Sequence, residues 1–347
     1  MPLYLTLKDN MSFENLKSTK IDRLNLALLT LFTFLSLAFA VFIPFFGVAG
    51  IILLPVPSTI LITGGRIRDG IICAVIACTA VALIYSDFVL MPIMAILIAA
   101  ISFLYKNSIS KDKSKLFTIS SIFSVFCGAV VLYFVINSAV YRVNYISEFI
   151  KSYNTSIDWA INLIFGDELI SKYSSLFLID DSQFRSMLEQ WRNILEFIPY
   201  IIPGILIFMF SFISVINYAI TSRLLVKFNI NIRPFISFKD WDIPWYYCWG
   251  MILSLVLILI PYGGQNLSKI LDIAGFNLLA IFGPLYLVLG VSVIWGLMDK
   301  FKVPPVWKIG IFILLGLLLG VTILILLFIG LIDIWINFRR LERRQLI

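Results

Sequence analysis

The chain has 347 residues, 61% of them hydrophobic and 14% charged, with a mean hydropathy of +0.99, whereas a soluble globular chain carries roughly a quarter charged residues. These proportions exclude a soluble domain and define a polytopic membrane protein. Histidine is absent, which removes the side chain most used for acid/base work near neutral pH and the commonest metal ligand. The net charge of +7 reads as basic loops between apolar spans, with no nucleic acid as partner.

Residues 1–23 are polar and carry Lys8, Lys17, Lys20 and Arg23, and the uncharged run Leu24 to Phe42 follows. Ala38-Phe39-Ala40 has the small-x-small look of a cleavage site, but the run exceeds the roughly 7 to 15 residues of a signal core. It is read as an uncleaved first helix behind a cytoplasmic amino-terminal segment. Further apolar runs lie at 47–64, 70–86, 88–105, 116–138, 197–221, 245–263, 278–298 and 309–336, close to or beyond the roughly 18 residues of a transmembrane candidate. With the amino terminus inside, the even-numbered connections hold Arg66 and Arg68, then Lys106, Lys111, Lys113 and Lys115, then Arg223, Lys227, Arg233 and Lys239, then Lys300, Lys302 and Lys308. That alternation follows the positive-inside bias.

Nine crossings would leave Arg339, Arg340, Arg343 and Arg344 outside. An even number results if 309–336, interrupted by Gly316 and Gly320, is a hairpin of two short segments, or if 47–64, with Pro55 and Pro57, is re-entrant; otherwise the bias is broken at the chain's end. The expected fold is all-α, a polytopic transmembrane helical bundle of about 8–10 spans with an amphipathic helical extracytoplasmic insert. The expected segments are a cytoplasmic 1–23, a five-span bundle 24–138, the insert 139–196, a second membrane region 197–336 and a basic tail 337–347.

The insert is helical in pattern. Ile146, Phe149, Ile150, Tyr153, Ile157, Ile161 and Ile164 form one stripe. After the Asp180-Asp181-Ser182 cap signal, Phe184, Met187, Leu188, Trp191, Ile194, Leu195 and Ile198 form another. Such helices lie along the membrane surface or over the mouth of the bundle, as a lid over a cavity or as an inert connector.

A charge at bilayer depth costs about 2.5–3.5 kcal/mol on insertion scales, so each is a functional candidate. Asp87, beside Tyr85, falls at a predicted turn, as a ligand contact or a solvated turn residue. Asp333 lies about two turns before Arg339, where an internal ion pair is expected. Asn137, Asn217 and Asn277 can hydrogen-bond across helices. Trp241, Trp245, Trp249, Trp307 and Trp335 fall at predicted span edges, as an aromatic belt requires. Cys73, Cys78, Cys127 and Cys248 sit inside apolar runs without metal or redox spacing and read as packing residues. No G-x-x-x-x-G-K-[ST] loop is present, and Asp167-Glu168, Asp180-Asp181 and Asp240-x-Asp242 are loop neighbours explained by capping or turns. Neither catalysis nor a cofactor or metal is expected.

Two stretches carry a family resemblance. Phe238-Lys239-Asp240-Trp241-Asp242-Ile243-Pro244-Trp245 opens one span, and Gly330-Leu331-Ile332-Asp333-Ile334-Trp335-Ile336-Asn337-Phe338-Arg339 closes the chain. With Leu54-Pro55-Val56-Pro57, Gly64-Gly65-Arg66 and the long central insert, they resemble the YybS-like family of bacterial multi-spanning membrane proteins over roughly residues 20 to 340. That family is similar, distantly, to the S components of energy-coupling-factor transporters, small helical bundles that bind a solute near the outer face. The resemblance implies that the first six spans form an S-like bundle in the cytoplasmic membrane and that the last spans are an addition. S components that dock on the shared coupling subunit carry Ala-x-x-x-Ala on the first helix; here Leu31 follows Ala27 and Phe42 follows Ala38, so docking by that route is not implied.

Two functions remain open. One is a solute-binding or transport component for a vitamin-like small molecule, with Tyr85, Asp87 and Asn137 as polar contacts. The other is a non-catalytic scaffold or regulatory protein whose basic loops and tail meet anionic lipid or a membrane protein partner. In both, Trp241, Pro244, Trp245, Asp333 and Arg339 form the interfacial and structural motif, and the lipid bilayer is the constant partner.

Overall fold

The computed structural model describes residues 25–43, 47–85, 89–164, 180–260 and 265–339. Among these the regular structure is helical, with no strand, because hydrocarbon offers peptide groups no partner outside their own helix. Contacts divide the chain into two compact units, Met1–Arg142 with Met209–Ile236, and Val143–Phe208 with Ser237–Ile347. This division differs from the segments read from composition, because one long helix contributes to both units.

The first unit opens with α1 (Leu26–Phe42), capped by Asn25, whose side chain accepts from the Ala27 N–H at 2.9 Å. Thr30, Thr33 and Ser36 return their hydroxyls to carbonyls one turn back, which lets polar side chains sit in an apolar helix. The run expected at 47–64 is two short helices, α2 (Gly47–Leu53) and α3 (Val56–Thr63). Pro55 separates them, since proline lacks an N–H and clashes with the preceding turn. Next come α4 (Ile67–Tyr85), α5 (Leu90–Ser110) and α6 (Lys115–Tyr141), each packed on the one before.

Beyond them lie α7 (Tyr145–Ile164) and α8 (Asp181–Lys227). Residues 209–227 of α8 return to the first unit. There Asn217 accepts from the Tyr105 hydroxyl at 3.0 Å and donates to the Ile52 carbonyl, beside the α2–α3 break, at 2.7 Å. One amide thus ties α8, α5 and α2 together, within a core that includes Ile101, Ile122, Phe126 and Tyr218.

In the second unit side-chain hydrogen bonds tie α7 to the first part of α8. Arg192 donates to Asp158 at 2.6 Å and to Glu196 at 3.0 Å, and the Tyr153 hydroxyl donates to the Leu195 carbonyl at 3.2 Å. Ile157 is buried, whereas Phe149, Trp191 and Ile194 keep an exposed apolar face. The expected break between the insert and the sixth span is absent, since α8 runs through both. Single 3-10 turns at Phe238–Asp240 and Trp245–Tyr247 lead to α9 (Cys248–Leu259), shorter than the run 245–263, and to α10 (Gln265–Lys300), longer than 278–298.

The last apolar run is α11 (Pro305–Leu317) and α12 (Leu319–Ile336), bent by 117° at their junction. Lys308 pairs with Asp299, and Lys300 Nζ reaches the Phe338 carbonyl at 3.4 Å. Both ends of this excursion therefore meet at the carboxyl end of α10, and the chain goes out and comes back. Helices α10 and α12 touch backbone to backbone at Gly290 and Gly330. A Cβ on Gly290 would lie 1.9 Å from the Leu326 oxygen, and one on Gly330 would lie 2.1 Å from the Tyr286 oxygen.

Five helical stretches among the described residues, Ile67–Ile84, Leu90–Ser110, Lys115–Tyr141, Arg185–Lys227 and Ser268–Lys300, are long and apolar enough to cross a membrane. The bent pair would make a sixth only if counted as one span, and Leu26–Phe42, Gly47–Thr63 and Trp245–Leu259 are shorter apolar segments. Cys73, Cys78 and Cys248 are buried, Cys127 is half-buried, and all four are free thiols.

Pro203 removes a backbone donor from α8. Next to it the Asn277 amide of α10 accepts from the Gly204 N–H at 2.7 Å and donates to the Tyr200 carbonyl at 2.8 Å. These are the two groups that an uninterrupted helix would pair with each other. A Cβ on Gly204 would fall 2.4 Å from the Asn277 carbonyl oxygen, so glycine is what allows the approach. Asn137, in contrast, donates to Tyr133 of its own helix at 2.8 Å. Asn277→Ala should therefore destabilise the protein by about 1–2 kcal/mol and Asn137→Ala by less than about 0.6 kcal/mol, as read from denaturant unfolding in detergent.

Candidate functional site

Of the solute contacts expected from sequence, Tyr85 and Asn137 fall on one end of the first unit. Tyr85 is the last residue of α4, Asp87 lies outside the described residues, and Asn137 is buried near the carboxyl end of α6. Short connections make α4, α5 and α6 antiparallel neighbours, so the carboxyl ends of α4 and α6 share that end of the bundle. Toward it, α4 and α5 leave a cleft of about 270 Å³ lined by Val75, Cys78, Thr79, Ala82, Met91 and Ala95. The Thr79 hydroxyl is spent on the Val75 carbonyl at 2.8 Å. The cleft wall is therefore apolar and suits hydrocarbon.

The second unit concentrates charge at the end where α10 and α12 finish. Asp333 and Arg339 form an ion pair at 2.8 Å with side chains only 3% and 4% exposed. Asn337 stops α12 in the left-handed region at φ 51° while its N–H still bonds the Asp333 carbonyl, a cap asparagine tolerates well. The turn folds Arg339 back over Asp333, and the Phe338 N–H donates to the other carboxylate oxygen at 2.8 Å. Arg339 also donates to the Lys239 carbonyl at 2.7 Å and to the Ser292 hydroxyl at 3.0 Å, and Ser292 donates to the Phe238 carbonyl at 2.6 Å. A Cβ on Gly296, one turn after Ser292, would lie 2.9 Å from the Arg339 Cδ. Glycine thus opens the groove that holds the arginine stem.

This network joins both stretches that carry the family resemblance, the segment around Lys239 and the chain end around Asp333. Trp241, placed by sequence in the aromatic belt, instead packs half-buried against the core of Met251, Tyr286 and Leu289 and meets the Phe238 ring at 5.0 Å. Pro244 starts the 3-10 turn that presents Trp245, and Trp245, Trp249, Trp307 and Trp335 are all exposed. Sequence reasoning did not reach Ser292, Gly296, Asp299 or the two carbonyls. A single serine in an apolar helix carries no signal of its partner, and a carbonyl carries none at all.

Apolar helices closed by buried polar ties define the class, an integral helical membrane protein whose polar interior groups hold helices together. The family described as predicted membrane protein (DUF2232) matches residues 30–334, and the chain belongs to that family. No curated protein and no solved structure matches it.

Breaking a buried pair leaves an uncompensated charge. Arg339→Met and Asp333→Leu should each lower stability by about 3–5 kcal/mol, while the double variant Asp333→Leu with Arg339→Met should lose much less than the sum. Unfolding of the four proteins in one detergent reads the coupling.

Proposed function

We propose that the protein is a non-catalytic solute-binding component of a membrane transport system, in which the first unit is the binding bundle. The observation that carries this reading is the composition of that unit. Five consecutive apolar segments, α1, α2 with α3, α4, α5 and α6, are joined by a sixth helix that follows the long insert. This is the six-segment arrangement that the resemblance to YybS-like proteins and to S components implies. On this reading the second unit is an addition, and the chain sits in the bacterial cytoplasmic membrane with its amino terminus inside. Tyr85, Asp87 and Asn137 supply polar contacts at one end of the bundle to a small vitamin-like solute.

A scaffold or regulatory role is the second reading, favoured by polar groups already engaged in helix-to-helix ties, the buried Asn217 and Asp333 and the half-buried Asn277.

Native mass spectrometry of the full chain, released from gentle detergent, separates the two. Transport predicts a reproducible non-lipid small molecule, with retention reduced about tenfold by Asp87→Asn or Asn137→Leu through loss of a hydrogen bond. A stoichiometric protein partner and no small molecule would establish the scaffold instead.

A further inference from the structure

The end of α10, its connector to α11 and the first turn of α11, together called the connector below, carry exposed cations and exposed apolar side chains. Lys300, Phe301 and Lys302 are followed by Val306 and Trp307, with Phe301 73% and Trp307 69% exposed. The backbone beneath them is fixed. The Lys302 and Val303 N–H groups donate to the Asp299 and Met298 carbonyls, and Lys302 sits at φ 54°. Pro304 and Pro305 fix φ at their own positions and hold the residue before each extended, and the Lys308–Asp299 pair closes the loop.

Two acids at this end of the unit, Asp299 and Asp333, are already engaged. Asp299 faces Lys308 and, at 3.8 Å, Lys239, and Asp333 holds Arg339. Neither Lys300 nor Lys302 has a carboxylate partner among the described residues, so the connector carries surplus positive charge on a rigid frame. Aromatic rings beside it match the headgroup layer, where tryptophan is enriched. Lysines next to an anionic membrane surface each contribute about 1 kcal/mol.

We propose that this connector binds the phosphate-bearing headgroup of an anionic phospholipid, with Lys300 and Lys302 on the phosphate and Phe301 and Trp307 seated in the interfacial layer. Occupancy follows from charge complementarity on an apolar footing. A free anion would gain nothing from the two rings, and a neutral lipid nothing from the two lysines. The site is in the second unit and does not depend on the solute reading of the first.

The test uses the full-length protein in neutral detergent with equimolar phosphatidylglycerol and phosphatidylcholine, read by native mass spectrometry. The wild type should retain phosphatidylglycerol preferentially. Lys300→Gln with Lys302→Gln should reduce that retention roughly thirtyfold, about fivefold per lysine; Lys302→Gln alone, which leaves the Lys300 bond to the Phe338 carbonyl intact, should reduce it about fivefold at unchanged melting temperature, and Lys300→Arg with Lys302→Arg should keep it. Phe301→Ser with Trp307→Ser should weaken both lipids. Equal retention of the two lipids, or no loss in the glutamine variant, overturns the proposal. Displacement by inorganic phosphate alone would also overturn it by identifying a free-anion site, and so would an acidic protein that occupies the connector without lipid preference.

Discussion

Hydrocarbon offers no hydrogen-bond partner, so a break in a membrane helix survives only where another part of the protein serves the groups it frees. Two breaks here are served by asparagine. Beside Pro203 the Asn277 amide stands between the Gly204 N–H and the Tyr200 carbonyl, and beside Pro55 the Asn217 amide reaches the Ile52 carbonyl. An amide can donate and accept at once, which makes it the side chain that can repair an interrupted helix ladder from outside. Each repair also fixes which helices lie together, so the local defect and the packing have one cause.

The Asp333–Arg339 pair follows the same constraint with charge in place of an amide. A carboxylate near the carboxyl end of α12 meets the negative end of the helix dipole, and it is tolerable only because a guanidinium and a backbone N–H surround it. The arginine's remaining donors then take the Lys239 carbonyl and the Ser292 hydroxyl. Neutralising one buried acid thereby anchors the end of the chain to α10 and to the turn after Ser237. The out-and-back course of α11 and α12 ends at this anchor, which gathers Lys239, Lys300, Lys308 and Arg339 into one place.

Much of this was legible in the residues, and the limits have identifiable causes. The break at Pro55 is visible because proline acts locally, and the pairing of Asp333 with Arg339 is visible because the two lie within two turns of each other. The hydrogen bond from Tyr105 to Asn217 joins residues 112 apart, and that from Asn217 to Ile52 spans 165. Nothing local marks either. Trp241 illustrates the opposite case. Its neighbours Trp245 and Trp249 are exposed, while Trp241 packs half-buried against the core; position along the chain does not select the direction of a ring.

The sequence by itself determined that this is a helical membrane protein, because apolar composition and the need to pair every backbone group in lipid leave helices as the structure open to such runs. It also marked the break at Pro55 and which charges are costly enough to need a partner. Only the tertiary structure decided that α8 serves two units, that the final run doubles back to the end of α10, and that Ser292 and Gly296 receive Arg339. Those outcomes rest on contacts between segments far apart in the chain, whose energies arise only once the helices have been brought together.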